Sequence, residues 1–539
     1  MSALLYPLGF ALARVLAIAA DNPGQYRLSD LAIVLAVVGG ATALAIAATF
    51  GVVRLFDRTE RAAPLAAAIA LLGVVWFYFY VPAHFAIYGL SHPLGRHKVL
   101  VPVGALATLG VVAWLARQPH RRLTVIGAFM TRCSLVLLVL VAFQAVRSEG
   151  RGPGMVRRSS LARTLAAPVG TVSPVPPDRN TPPRDIYLIV LDGHANARVL
   201  REVFGYDNSR FEDSLRALGF LVPRDMRSNY VQTYLSVASL LNFSQLTQLT
   251  EDLGAASMDH SLPTYLVKQN RAARFLKARG YRYVLFPSAW WAATANSPLA
   301  DVEFDPHPGF DLGYEARRTE LRLALLRSSL LRFTGPASRP QVPMTEQFLR
   351  SFEGLREMPA DPAPTFTFAH LLLPHIPYIL DDRCRPLARA IPDDMEADTP
   401  EQRAAYVAQV ECADRLVLDL VTALLRRSPT PPVILLVGDH GSRFADIGFY
   451  GHPERVPAAF VRERFGAFGA FYLPAGGQRP FHEPVTLVNV LGNVLRYYFG
   501  ADVPPSRDDM YVSGQELYRF YRADPALLEP GAAAQAHGP

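Results

Sequence analysis

The chain has 539 residues, half of them hydrophobic, and carries a formal net charge of +7. That length exceeds one compact domain and that apolar share exceeds a purely globular protein, so a membrane part and a separate globular part are expected. The positive charge does not indicate a nucleic-acid partner: no such module is present, and arginines flanking apolar segments account for much of the excess.

Five apolar stretches occupy residues 1–146, at 3–20, 31–53, 62–90, 99–116 and 123–146, each near the roughly 20 residues that a bilayer-spanning helix needs. The first is followed by four more rather than by soluble sequence, so it reads as a retained helix and not a cleaved leader. The third is long enough to tilt, or to break near Pro82. Arg54, Arg58 and Arg61 in one loop and Arg117, Arg121 and Arg122 in another outweigh Arg27 in the first loop and Arg96 and Lys98 in the third. By the positive-inside rule the three-arginine loops are cytoplasmic, the N-terminus lies inside and everything after residue 146 lies outside. Arg147, Arg151, Arg157, Arg158 and Arg163 oppose that assignment locally, but a long following domain weakens their vote. Arg14 and Arg132 fall inside spans, where a buried charge suggests a functional role.

Residues 147–184 are rich in Arg, Gly, Ser and Pro and read as an extended tether. A folded domain is expected over 185–522. It opens with a strand from Asp185 that ends on Asp192-Gly193. Helices follow near 195–203, from Thr233 and near 264–279, then strands at 281–286 and 365–373. A helix over 400–426 has Thr399 as its cap, Pro400 in its first turn and Gln402 at the capping-box position. The strand at 433–438 comes last, and residues 523–539 read as a disordered tail. Strands alternating with helices imply an α/β domain with a mostly parallel central sheet. Cys384 and Cys412 are expected to pair in an oxidising compartment, while Cys133 lies in the fifth span.

Chemistry concentrates at strand ends. Asp439, His440 and Gly441 close the 433–438 strand, where open α/β sheets bind ligands; a carboxylate and an imidazole together there suit a divalent metal. Asp192 ends the first strand. Thr233 starts a helix, where free amides and the dipole can hold a phosphoryl oxygen, and a nearby cation would activate its hydroxyl. Ser236 and Ser239 are rival hydroxyls placed further along that helix. His375 sits in a proline-bounded loop and His452 in Gly451-His452-Pro453; either imidazole could bind phosphate, protonate a leaving alcohol or ligate a second ion. His370, Arg443 and Asn229 carry weaker signals.

These positions resemble the alkaline phosphatase and sulfatase superfamily, and within it the membrane-bound phosphoethanolamine and phosphoglycerol transferases, including lipoteichoic acid synthase-like enzymes. The resemblance implies Asp192, Thr233, Asp439 and His440 as ligands of Zn or Mn, Thr233 as nucleophile, and His375 and His452 as further catalytic residues. It departs at Gly193, where sulfatases often have a second Asp. It also implies a bacterial inner-membrane protein with a periplasmic catalytic domain, a membrane phospholipid donor, and an envelope glycan or lipid acceptor. A phosphodiesterase or phosphatase using water, and a non-catalytic envelope scaffold, are the alternatives. Formylglycine-dependent sulfatase chemistry is disfavoured: Cys384-Arg385-Pro386-Leu387-Ala388 has Ala where that motif requires Arg.

Overall fold

The computed structural model describes residues 5–22, 26, 28–171, 183–288, 293–305, 320–333, 342–358, 361–391, 398–446, 453–514 and 516–528. The chain forms two compact units. One comprises Met1–Gly152 with Phe310–Arg339; the other comprises Pro153–Gly309 with Pro340–Pro539.

The helical unit contains Tyr6–Asp21, Leu28–Phe56, Ala62–Leu90, His97–Ala116 and the start of His120–Arg158. Among the described residues four helices are long and apolar enough to cross a membrane, within Leu28–Phe56, Ala62–Tyr88, His97–Ala116 and His120–Arg147. The first of the five expected spans is not among these four: within the described residues its helix, Tyr6–Asp21, has 16 residues, a rise of about 24 Å at 1.5 Å each against a hydrocarbon core of about 30 Å. Pro82 does not end the third helix, which continues to Leu90.

The expected tether is different in the structure. The last long helix runs to Arg158, and a short helix, Ser160–Ala166, follows it, with Ser159 capping through Ala162 N–H. Leu161, Ala162 and Leu165 of that helix join the core of the second unit, so apolar periodicity overrides the Gly/Pro composition there. The proline-dense stretch 172–182 lies outside the described residues. The expected tail begins later than proposed, since Ala523 and Leu528 are buried; residues 529–539 also lie outside the described residues.

In the second unit six strands stand in the order Val302–Glu303, Arg282–Phe286, Thr365–Leu371, Ile186–Leu191, Val433–Gly438, Gly469–Tyr472. All neighbours are parallel except the last pair. The Ile186 strand is central and buried at every position. Its side chains alternate between two apolar clusters, Leu188 and Val190 in one, Tyr187, Ile189 and Leu191 in the other. Layers thus cover both faces, which is why these strands are continuous apolar runs rather than alternating ones. The Pro400–Arg427 helix carries the expected capping box in full. Cys384 and Cys412 form a disulfide.

Candidate metal centre

The register of the sheet builds the site. Leu191 pairs with Gly438 across the two central parallel strands, so the residues that follow, Asp192 and Asp439, emerge side by side at the C-terminal edge. Both are fully buried. Asp439 Oδ1 accepts the Gly193 backbone N–H at 2.9 Å, and Gly193 makes that turn with φ +70°, a conformation L side chains avoid. His440 turns to the same side: its Nε2 lies 3.4 Å from Asp439 Oδ2 and 3.7 Å from Asp192 Oδ1. Gly441 permits this through close approach rather than unusual φ, because a Cβ there would fall 1.9 Å from the Glu463 carbonyl oxygen.

Thr233 is the first residue of the helix Thr233–Asn242, with Gln232 at the cap position and no side chain capping it. Its Oγ1 lies 3.2 Å from His440 Nε2. His440 Nδ1 donates to the Gly441 carbonyl at 2.8 Å, which leaves Nε2 as an unprotonated lone pair. Burial, then the charge of Arg464, pushes the His440 imidazole down to about 3 and so keeps it neutral. Burial, then the neighbouring Asp192 charge, pushes Asp439 up to about 6. Asp192 ends below the ordinary carboxylate range: burial opposes this, but His375 and a hydrogen bond from His370 outweigh it.

Two oxygens at this point have no hydrogen-bond partner, Asp192 Oδ1 and Asp439 Oδ2. A buried carboxylate oxygen without a donor is costly unless a cation compensates it. Ligand atoms of Asp192, Asp439 and His440 lie within 4.8 Å of one another. The donor set of two carboxylates, one neutral imidazole and one hydroxyl fits a divalent cation, and its mixed O/N character leaves the ion's identity open.

The other sequence-derived candidates fall in different places. His370, on the Thr365–Leu371 strand, bridges Asp192 Oδ2 at 3.2 Å and Thr294 Oγ1 at 3.0 Å, so it orients a carboxylate rather than joining the cluster. His375 lies nearby, its ring centroid 6.4 Å from that of His440, with Nδ1 held by the Ile376 carbonyl at 2.6 Å. His452 lies outside the described residues. Asn229 is spent on structure, accepting from Val488 N–H and donating to the Asp509 carbonyl. Ser236 and Ser239 donate to the Tyr230 and Ser244 carbonyls. Arg443 is buried beside the ring of Phe444.

Several supporting residues escape sequence reasoning. On the Pro400 helix, Tyr406 donates to the Gly193 carbonyl at 2.9 Å, Gln409 donates to the His375 carbonyl at 2.9 Å, and Asp414 meets His194 Nε2 at 2.8 Å. One helix thus fixes two of the loops that bear site residues. Glu463, on the helix Ala458–Phe465, accepts from Ser442 Oγ, Phe444 N–H and Ala445 N–H at 2.5, 2.6 and 2.9 Å, clamping the loop that follows His440. The capping box marked the Pro400 helix, but nothing local marks which of its polar residues face inward.

The fold and site define a protein with apolar helices long enough to cross a membrane and an α/β unit that bears a buried Asp–Asp–His–Thr cluster. No family model matches the chain, and no curated protein matches it in sequence. Among solved structures it is similar to the C-terminal periplasmic domain of EptC from Escherichia coli in complex with Zn, at 12% identity over 66% of this chain and 96% of that one, TM-score 0.43. It is also similar to the lipooligosaccharide phosphoethanolamine transferase A of Neisseria meningitidis, at 12% identity, 84% and 93% coverage, TM-score 0.37. The lipoteichoic acid synthase LtaP of Listeria monocytogenes matches at 12% identity, 67% and 83% coverage, TM-score 0.36. These likenesses are at low identity and at TM-scores below one half; the functional reading is carried by residues of this chain.

Proposed function

We propose that the protein is a metal-dependent transferase that moves a phospho-alcohol group, phosphoethanolamine or phosphoglycerol, from a membrane phospholipid to an envelope glycan or lipid through a phospho-threonine. One observation carries the reading: Asp192 Oδ1 and Asp439 Oδ2, both unpartnered, face His440 Nε2 beside the Thr233 hydroxyl at the start of a buried helix. Asp192, Thr233, Asp439 and His440 would hold one Zn or Mn. When bound, that ion supplies positive charge that lowers the pKa of the Thr233 hydroxyl and offsets charge on phosphoryl oxygens.

Thr233 Oγ1, its proton released to water, forms the new bond to phosphorus while the bond from phosphorus to the glycerol oxygen of diacylglycerol breaks. The leaving oxygen takes up a proton, and His375 is the candidate donor when both its ring nitrogens carry protons: Nδ1–H is held by the Ile376 carbonyl, and the proton on Nε2 passes to the leaving oxygen. His452 is assigned a second such role by the sequence motif. An acceptor hydroxyl then gives its proton to Nε2 of the now neutral His375 and attacks phosphorus, and Thr233 Oγ1 leaves. The N-terminus of the Thr233 helix holds the anionic phosphoryl oxygens. The Cys384–Cys412 disulfide supports an oxidising, extracytoplasmic location for this unit, with the apolar helices in the bacterial inner membrane.

Intact-mass measurement of the full chain after incubation with phosphatidylethanolamine or phosphatidylglycerol tests the reading. The expected result is a mass increase equal to one phospho-alcohol group, absent in Thr233→Ala. Unmodified protein under metal-replete conditions that nonetheless releases free phospho-alcohol, with no labelled acceptor, would instead indicate a hydrolase.

A further inference from the structure

Residues 310–339 belong to the helical unit, although in sequence they separate two strands of the sheet, Val302–Glu303 and Thr365–Leu371. The described part of this excursion is the helix Glu320–Arg327 and a turn of 3₁₀ helix, Leu330–Phe333. Leu321 and Leu325 are buried in one apolar cluster with Val15, Val34, Val38 and Tyr78 of the N-terminal helices. The contact leaves a hollow. A cavity of about 700 Å³ lies between the Leu28–Phe56 helix, the Ala62–Leu90 helix and the excursion, with Ala41, Ala45, Ala70 and Gly73 on its floor and Leu326 and Leu331 above.

Small side chains on both floor helices create the space. Three of the four hydroxyls that line it are turned to their own backbone: Thr42 Oγ1 donates to the Val38 carbonyl at 2.7 Å, Thr49 Oγ1 to Ala45 at 2.8 Å, and Ser329 Oγ to Leu326 at 3.1 Å; the fourth is that of Tyr78. With those three donors engaged and the rest of the lining, Tyr78 aside, made of aliphatic, glycine and phenylalanine residues, what fills the hollow is chiefly apolar. Its size is that of a ligand pocket rather than a packing defect. The excursion's sequence adds a preference: from 320 to 333 it carries Arg322, Arg327 and Arg332 against a single acid, Glu320, a balance that suits the phosphate of a lipid at the bilayer surface.

We propose that this cavity binds one acyl chain of a glycerophospholipid, with the 320–333 segment as its roof. The proposal is independent of the chemistry assigned above to the Asp–His cluster. A photoactivatable phosphatidylethanolamine with a diazirine in its acyl chain, incorporated with the full-length protein in nanodiscs, is the probe. The expected cross-links concentrate on residues 33–49, 69–78 and 325–331. An added Cβ at Gly73, which lines the cavity, would meet nothing within 4 Å, so the side chain of Gly73→Leu starts in open space and takes up room that several methylenes of the chain would occupy. Labelling of those peptides should fall by about tenfold or more. Gly110, on the His97–Ala116 helix and away from the cavity, also has open space around it, and Gly110→Leu should leave labelling unchanged. Labels spread evenly over the outward faces of all four long helices would mean annular lipid only and would overturn the proposal. Undiminished labelling of Gly73→Leu, with its thermal unfolding unchanged, would do the same; if that variant does not fold, Ala41→Val, a smaller filling, supplies the same comparison.

Discussion

The two units of this chain treat apolar and polar surface in opposite ways. In the helical unit large apolar side chains face outward, as Leu44, Leu106 and Phe143 do at 74%, 69% and 64% exposure, because the expected solvent is hydrocarbon. In the α/β unit the central strands have no exposed position, yet Asp192 and Asp439 sit among them without exposure. The contrast teaches where to look for chemistry. Central strands that bury every position have little reason to end on two acids, each with a buried oxygen that no donor meets, unless a cation is to meet them.

The largest effect expected to sharpen that contrast is at the acids. Asp192→Asn, Asp439→Asn and His440→Ala should each lower transfer at least about 10³-fold, since each removes a donor from a cluster that acts as a unit. They should also abolish the rise in melting temperature that added Zn²⁺ or Mn²⁺ gives the wild type. A metal-induced shift of wild-type size in Asp439→Asn would break the assignment.

Next come the apolar positions. Leu188→Ala, in the middle of the central strand, should destabilise the α/β unit by about 2–5 kcal/mol in denaturant titrations. Leu44→Ala, mostly exposed in the helical unit, should fall within about 0.5 kcal/mol in detergent. Equal losses would contradict the inside-out reading.

At Glu463 the expected cost is smaller. Glu463→Ala strands the Ser442, Phe444 and Ala445 donors and should cost about 1–3 kcal/mol, while weakening metal affinity measured by calorimetry; Glu463→Gln should recover part of both.

The subtlest test is pH dependence in the metal-free protein. His440 is pushed down from 6.5 to about 3, so its contribution is lost as pH falls from its ordinary value, because the unfolded imidazole binds a proton that the folded one does not. Asp439 is pushed up from 3.8 to about 6, so its contribution is present at low pH and is lost as pH rises toward 6. The two slopes oppose each other between pH about 4 and 6. Asp439→Asn removes the second, and its stability should then rise more steeply with pH across that window than the wild type's, as followed by thermal melts.

Much of this was legible in the sequence because the signals are local. Apolar runs ending in Asp192 and in Asp439-His440 specify buried strands with polar tips, and Thr399, Pro400 and Gln402 specify a helix start that the structure reproduces. What was not legible depends on distant pairing. Asp414 meets His194 across 220 positions and Tyr406 meets Gly193 across 213; neither has a spacing that announces it. The first part of the expected tether, up to Ala166, is helical because the apolar spacing of Leu161, Ala162 and Leu165 outweighs its Gly and Pro content. The excursion at 310–339 was missed because its helix is too short to register as a membrane element and too apolar to register as a loop.

That excursion also constrains how the molecule can be made. The Ile186–Leu191 strand pairs on both sides with strands synthesised later, Thr365–Leu371 and Val433–Gly438, and the chain must return to the helical unit before either exists. On the ribosome, the hub of the sheet therefore waits unpartnered on both edges while the helical unit is finished. A stop codon anywhere before Thr365 leaves that strand with nothing to join.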